Sequence, residues 1–304
     1  MGDLGGAPCR RPDICRADAS TSAVTEDPSR CARGGVELAW RDFGGDGPTV
    51  LLLHGLAGYA GEWAGTARWL TERARVIAPD TRGHGRSERF PDDVSRAALV
   101  ADAAFLIRKL GVGPVVAVGQ SLGGLTALHL AATQPELVRG LVLVEATPAG
   151  GPDDEAARSA AMVGASLRSW PVPFSSLSEA RDFFGDRFGS ARVGDVWAHG
   201  LEERDSGWWP RFEVDVMVRM LHAALASPSW TEWEALGVPA LVVRGERGTV
   251  DRPAAEEMRR RLAGARAVTV ADAGHDLHLE QPRAWQTALS EFLDGLTPAE
   301  RFPS

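Results

Sequence analysis

Val115-Val116-Ala117-Val118-Gly119-Gln120-Ser121-Leu122-Gly123-Gly124 is the stretch on which the reading of this chain turns. Four apolar residues in a row, with no polar alternation, mark a strand covered on both faces, as in a parallel sheet. A helical pattern follows at once, over about 122–134. Between the two, Gly-x-Ser-x-Gly has a mechanical reason. The serine sits at a sharp strand-to-helix turn, and side chains two residues away on either side would crowd it, hence Gly119 and Gly123. The helix begins at the hydroxyl, so its N-terminal dipole and the free amide of Leu122 face any negative charge that develops there. Ser121 is therefore the candidate nucleophile; the plainer alternative is a glycine-rich turn that only packs helix on strand.

Working outward, the same kind of apolar run recurs at Val50-Leu51-Leu52-Leu53, Val76-Ile77-Ala78, Leu141-Val142-Leu143-Val144, Ala240-Leu241-Val242-Val243 and Ala267-Val268-Thr269-Val270. Helical patterns lie between them at about 62–73, 95–110, 253–263 and 283–295. Alternating strand and helix predicts a doubly wound α/β fold with a mostly parallel sheet. Val36 to Phe43 reads as an additional strand near the sheet edge, followed by the turn Gly44-Gly45-Asp46-Gly47-Pro48. One interval breaks the rhythm. From about Pro148 to Leu236 no strand-like run occurs, and the segment is helical and rich in Trp and Phe. That is too long for a loop and predicts an inserted helical subdomain. The expected boundaries are a disordered leader over 1–33, a core made of 34–147 and 237–296, the insert at 148–236 and a C-terminal tail at 297–304.

Composition narrows the function. The 304 residues carry 33 Lys+Arg against 41 Asp+Glu, a net charge of -8, with 44% hydrophobic residues. Such a balance speaks against nucleic acid or an anionic membrane as partner, since both select clustered positive charge. Nothing approaches 18 consecutive apolar residues, so no membrane span is expected. Lys109 is the only lysine, which sets aside Schiff-base and P-loop lysine chemistry. Cys9, Cys15 and Cys31 all fall in the first 31 residues, without a zinc-like spacing and without an apolar signal core. A cytoplasmic protein is the expectation. No pair of histidines has ligand spacing, so neither a metal nor another cofactor is expected.

These elements, taken with His54-Gly55-Leu56 after a strand, Asp80-Thr81-Arg82-Gly83-His84-Gly85-Arg86-Ser87, the serine turn, and Gly274-His275 near the end, resemble the α/β-hydrolase superfamily from about Val36 to Leu293. The resemblance implies the α/β-hydrolase fold, with the aromatic insert as a cap above the C-terminal edge of the sheet. It implies His275 as the base for Ser121, with His278 as the local competitor. It also implies an oxyanion hole made of the Leu56 and Leu122 amides, and it leaves Asp80 and His84 structural. A serine hydroxyl needs such an imidazole, and the imidazole needs an acid to hold its tautomer.

The acid is where this chain departs from the family. Most members carry Asp three residues after the glycine that ends the penultimate strand; here Val243-Arg244-Gly245-Glu246-Arg247-Gly248 puts a glycine in that slot. Some relatives, a subfamily of haloalkane dehalogenases among them, use a Glu ending the strand after the nucleophile's helix. That position is Glu145. Asp251 and Glu246 are the alternatives.

The favoured activity is hydrolysis of a small-to-medium apolar carboxylic ester or lactone through an acyl-enzyme. Haloalkane dehalogenases and epoxide hydrolases need an Asp nucleophile, and the latter also cap tyrosines, whereas Tyr59 is the only tyrosine and lies outside the insert. Carbon–carbon bond hydrolysis and cofactor-free perhydrolysis are alternatives on the same triad. A ligand-binding protein on a hydrolase scaffold is the alternative from another class.

Overall fold

The computed structural model describes residues 28–296. In chain order its main elements are β1 (Ser29–Arg33), β2 (Val36–Gly44), β3 (Thr49–Leu53), α1 (Ala64–Leu70), β4 (Arg75–Asp80), α2 (Arg96–Leu110), β5 (Val115–Gln120), α3 (Leu122–Thr133) and β6 (Val138–Val144). Then come α4 (Asp153–Arg168), α5 (Leu177–Phe188), α6 (Ala191–His199), β7 (Leu201–Arg204), β8 (Gly207–Pro210), α7 (Val214–Leu225) and α8 (Trp230–Glu234). The chain returns through β9 (Ala240–Gly245), α9 (Arg252–Arg261), β10 (Arg266–Val270), α10 (Leu277–Glu280) and α11 (Pro282–Asp294). No helix among the described residues is long and apolar enough to cross a membrane.

The main sheet has the order β1-β2-β4-β3-β5-β6-β9-β10. From β4 to β10 neighbours run parallel, while β1, β2 and β4 pair antiparallel. The apolar runs explain this architecture. In β3, Leu51 and Leu53 pack into the core on one face of the sheet, and Val50 and Leu52 into the core on the other. In β5, Ala117 and Val118 divide between the two faces in the same way. Both faces are thus roofed by helices, as continuous apolarity requires.

Two expectations need correction. The leader does not extend to residue 33, because Ser29–Arg33 pairs with Val36–Gly44 across the Gly34-Gly35 turn. The segment escapes a hydrophobic reading because β1 is an outermost strand with largely exposed residues. Residues 1–27, with Cys9 and Cys15, and the tail at 297–304 lie outside the described residues. The insert, in turn, is not wholly helical: β7 and β8 form an antiparallel hairpin inside it. Each strand has only four residues, and Glu202 and Glu203 face Trp209 and Trp208, so no apolar run announces them.

The insert is joined to the sheet by a third core. Leu99 of α2 and Leu122 and Leu125 of α3 pack with Trp170, Phe184 and Met217 of the insert. Helices α5 and α6 pack on each other, as do α4 and α7. Many of the aromatics therefore serve the insert's own interior: Phe174 and Phe184 are fully buried, and Trp170 meets Phe184, Trp197 and Phe212 edge-on.

Candidate active site

The strand order brings chemistry-bearing loops to one edge. β5 lies between β3 and β6, and β6 lies beside β9, which is itself flanked by β10. The segments leaving these strands therefore emerge side by side, where open α/β sheets place their ligands. Register continues past the strand ends: the Ser121 N–H donates to Val144 O at 2.8 Å, and the Glu145 N–H to Val243 O at 2.9 Å.

Ser121 is held at φ 52°, ψ -115° directly before α3. A non-glycine residue in this region costs of order 1–3 kcal/mol and persists only where its surroundings enforce it. Here the close approach of strand and helix does so. A Cβ at Gly119 would lie 2.2 Å from Gly123 O, and one at Gly123 would lie 2.3 Å from Leu53 O. The two glycines are thus required by packing, as the spacing predicts. Ala57 (φ 63°) and Glu145 (φ 50°) are also left-handed. Three of the strained residues thus gather around one place.

Glu145 follows β6 and is 2% exposed. Its Oε1 accepts the Gly245 N–H at 2.7 Å, and its Oε2 accepts the main-chain N–H groups of Thr249 at 2.5 Å and Val250 at 3.3 Å. The Thr249 hydroxyl lies 3.0 Å from Oε2, and His275 Nδ1 lies 3.4 Å away. The vacancy in the usual acid slot now has a physical cause. A Cβ on Gly248 would stand 2.1 Å from Glu145 Oε1, inside the carboxylate itself. The carboxylate reaches from β6 into the volume that a side chain at 248 would fill.

The alternative acids are occupied elsewhere. Asp251 caps α9, its Oδ1 accepting the Ala254 N–H at 2.8 Å, and Glu246 accepts the Asp272 N–H at 3.1 Å; both are exposed. Of the other histidines, His278 is buried in α10 with its ring stacked on Trp63 and its Nε2 3.5 Å from Glu62. His129 meets Ser229, His199 meets the Asp195 carbonyl, and His222 meets Asp153.

Charge follows the geometry. Burial alone would push the Glu145 carboxyl up, but hydrogen bonds from His275 and from the Gly245 and Thr249 amides outweigh it and hold the group below its ordinary value. Burial would likewise push His275 down; Glu145, then Asp276 and Glu280, overcome it and leave the imidazole above its usual value. An ionised carboxylate beside a readily protonated imidazole is the electrostatic pairing that proton abstraction from a serine requires.

The loop after β3 is braced against this centre. His54 Nε2 accepts the Thr81 N–H at 3.0 Å and Nδ1 meets Gly55 O at 2.7 Å. His84 Nε2 accepts the Ala57 N–H at 3.0 Å, and Asp80 accepts the Ala60 and Arg86 N–H groups. The bonds of all three hold the loops after β3 and β4 to each other. A Cβ on Gly55 would lie 1.9 Å from Gln120 Oε1 and 3.5 Å from Ser121 Cβ, so the Leu56 amide follows a residue pressed against the serine turn. The Leu122 amide is the first of α3 and has no carbonyl one turn earlier in the helix.

Ser121, His275, Thr249 and Leu56 all line one cavity of about 850 Å³, within the range of small-molecule sites. Its far wall comes from the insert, with Val163, Leu167, Trp170, Phe188 and Trp197. Helix α6 is tied to the loop after β3 and to the segment after His275: the Tyr59 hydroxyl donates to Val196 O at 3.0 Å, and Trp197 Nε1 donates to Asp276 Oδ2 at 3.0 Å. Neither bond was legible in the sequence, since the partners stand far apart along it. Thr249 was also missed: a threonine in a turn carries no pattern of its own. Among the described residues no cluster of His, Cys, Asp and Glu is arranged to hold a metal ion.

Comparison with known proteins identifies the family and the fold. The profile of the alpha/beta hydrolase fold family matches residues 48–282. The chain is 30% identical over 268 residues to the sn-1-specific diacylglycerol lipase ABHD11 of Mus musculus, covering 85% of each protein. It is 31% identical over 264 residues to a pimeloyl-[acyl-carrier protein] methyl ester esterase of Stenotrophomonas maltophilia, covering 84% of this chain and 96% of the esterase. Among solved structures, that of E-2-(acetamidomethylene)succinate hydrolase superposes with a TM-score of 0.80 at 26% identity, over 88% of this chain and 99% of the hydrolase. By profile, by relatives and by architecture, the chain belongs to the α/β-hydrolase family.

Proposed function

We propose that this protein is a serine hydrolase that cleaves carboxylic esters through an acyl-enzyme on Ser121, with His275 as general base and Glu145 as the triad acid. The observation that carries the proposal is the buried Glu145 carboxylate, seated in the space opposite Gly248 and 3.4 Å from His275 Nδ1. A surface carboxylate would have no reason to be enclosed by three main-chain N–H groups at a strand end, since burying a charge is costly unless it is partnered. Relatives named as an esterase and a lipase support ester bonds as the target.

In this mechanism Ser121 Oγ attacks the ester carbonyl carbon while its proton passes to His275 Nε2. The carbonyl oxygen becomes an oxyanion and accepts hydrogen bonds from the Leu56 and Leu122 N–H groups, each worth about 3 kcal/mol in the transition state. The tetrahedral intermediate collapses, the C–O bond to the alcohol breaks, and the leaving oxygen takes the proton from Nε2. Water then attacks the acyl carbon, gives its proton to His275, and the second collapse returns that proton to Ser121 and frees the acid. The insert acts as the cap. Its apolar wall (Val163, Leu167, Trp170, Phe188) favours a medium-sized apolar acyl group. A lactone fits the same steps, the released alcohol staying attached to the acid.

The test is turnover of a chromogenic short-chain ester by the wild type and by Ser121→Ala, with covalent labelling by a fluorophosphonate. Loss of both turnover and label in the variant is expected. Turnover surviving at the wild-type rate in Ser121→Ala would overturn the proposal.

A further inference from the structure

The mechanism above leaves one group beside the imidazole unused. Thr249 Oγ1 lies 3.0 Å from His275 Nδ1 and 3.0 Å from Glu145 Oε2, while the direct separation of Nδ1 from Oε2 is 3.4 Å. A charge-assisted N–H to carboxylate bond normally closes to 2.7–2.9 Å, so the hydroxyl is the better placed acceptor for the Nδ1 proton. Oε2 is moreover already taken by the Thr249 and Val250 N–H groups.

From this arrangement we infer that Thr249 is a positioning residue: its hydroxyl links Glu145 to His275 and fixes the imidazole in the tautomer that can accept the serine proton. The inference rests on the acyl-enzyme reading. An ionised carboxylate only accepts, and a hydroxyl has a single proton to donate. With Glu145 held ionised, that proton points to Oε2, and the hydroxyl presents a lone pair to Nδ1. Nδ1 must then carry hydrogen, which leaves Nε2 bare. Were the hydroxyl to turn its proton toward Nδ1, the hydrogen would reside on Nε2, and the ring could not take a proton from Ser121. No proton crosses Thr249 at any step; the transferred one moves from Ser121 Oγ to Nε2 and on to the leaving oxygen. When the ring becomes imidazolium, the Nδ1–H bond to Oγ1 strengthens, and the hydroxyl in turn bonds more firmly to Glu145.

Thr249→Val tests this, because valine keeps the shape and the main-chain N–H that binds Glu145 but removes the hydroxyl. Thr249→Ser restores the hydroxyl without the methyl. For the valine variant, kcat on the chromogenic ester should fall about 10- to 100-fold, the range for losing a hydrogen bond to a charged group, with KM little changed. The acid limb of its kcat/KM profile should move to lower pH, since the imidazolium has lost an acceptor. The serine variant should match the wild type in rate and in acid limb. Valine activity close to wild type, an unmoved acid limb, or an equal loss in both variants would each overturn the inference, the last by assigning the effect to the methyl group. Ser121→Ala measured alongside separates the two claims: an inactive alanine variant beside a fully active Thr249→Val leaves the hydrolase reading standing and removes only the positioning role of Thr249.

Discussion

Replacing Glu145 with Gln asks how much of the reaction depends on a charge that reaches the imidazole from β6. The variant is nearly isosteric, so the effect is electrostatic. At 3.4 Å and an effective dielectric of about 20, a carboxylate attracts an imidazolium by about 5 kcal/mol. Expressed as a barrier, that is between three and four decades in kcat, at about 1.4 kcal/mol per decade. The amide adds a second penalty. Whichever way it is turned, its NH₂ opposes a main-chain donor: Gly245 N–H on one side, or Thr249 and Val250 N–H on the other. The Thr249 hydroxyl also loses the carboxylate that orients its proton away from the ring, and the comparable Asp-to-Asn change in a serine protease triad costs about 10⁴-fold. The assay is kcat for chromogenic ester hydrolysis, with Asp251→Asn and Glu246→Gln as controls and melting curves to verify the fold. A loss of about 10³- to 10⁴-fold is expected for Glu145→Gln, against less than about threefold for the controls, whose carboxylates serve main-chain N–H groups away from the ring. Glu145→Gln within tenfold of wild type, with Asp251→Asn the more damaged, would refute the assignment and move the acid to the loop between β9 and α9.

Two more expectations follow from buried contacts. Gly248→Ala puts a methyl group into the Glu145 carboxylate, so it should destabilise the fold by about 1–3 kcal/mol and lower kcat; unchanged melting and rate would show that the carboxylate can withdraw freely. Glu62, pushed up to about 8 chiefly by burial, is protonated in the fold but ionises from about pH 4.5 in the unfolded chain, so its contribution is intact below pH 4.5 and is lost as pH rises through 8. Relative to wild type, Glu62→Gln should therefore gain stability as pH is raised across that window, of order 3 kcal/mol by pH 7; a difference that stays flat with pH in chemical denaturation would contradict this.

What the sequence disclosed follows from how local each signal is. The apolar runs of the parallel strands were readable because burial on both faces leaves no polar positions, and Gly119 and Gly123 were readable because the crowding they relieve lies within two residues of Ser121. The edge strand Ser29–Arg33 and the Leu201–Pro210 hairpin were not, since each is short and carries charged or aromatic residues on a partly solvated surface. The proposed acid stood between these cases. Gly248 advertised an empty slot and Glu145 an odd charge at a strand end, but only the fold shows that the two occupy one volume. Thr249 and the Trp197–Asp276 bond depend on contacts across 26 and 79 positions, which no periodicity encodes.

The shared volume of Glu145 and Gly248 has a bearing on how homologous chains can differ. The two sites are sterically exclusive: a carboxylate of this reach from β6 tolerates only hydrogen on the neighbouring loop, and any larger group there demands a shorter side chain on β6. Moving the carboxylate from one position to the other therefore requires exchanging both residues together or passing through a form in which neither position carries one. Transplanting the charge as Glu145→Ala with Gly248→Asp retraces that passage in a test tube, and the order in which the two changes are tolerated reveals which route is open.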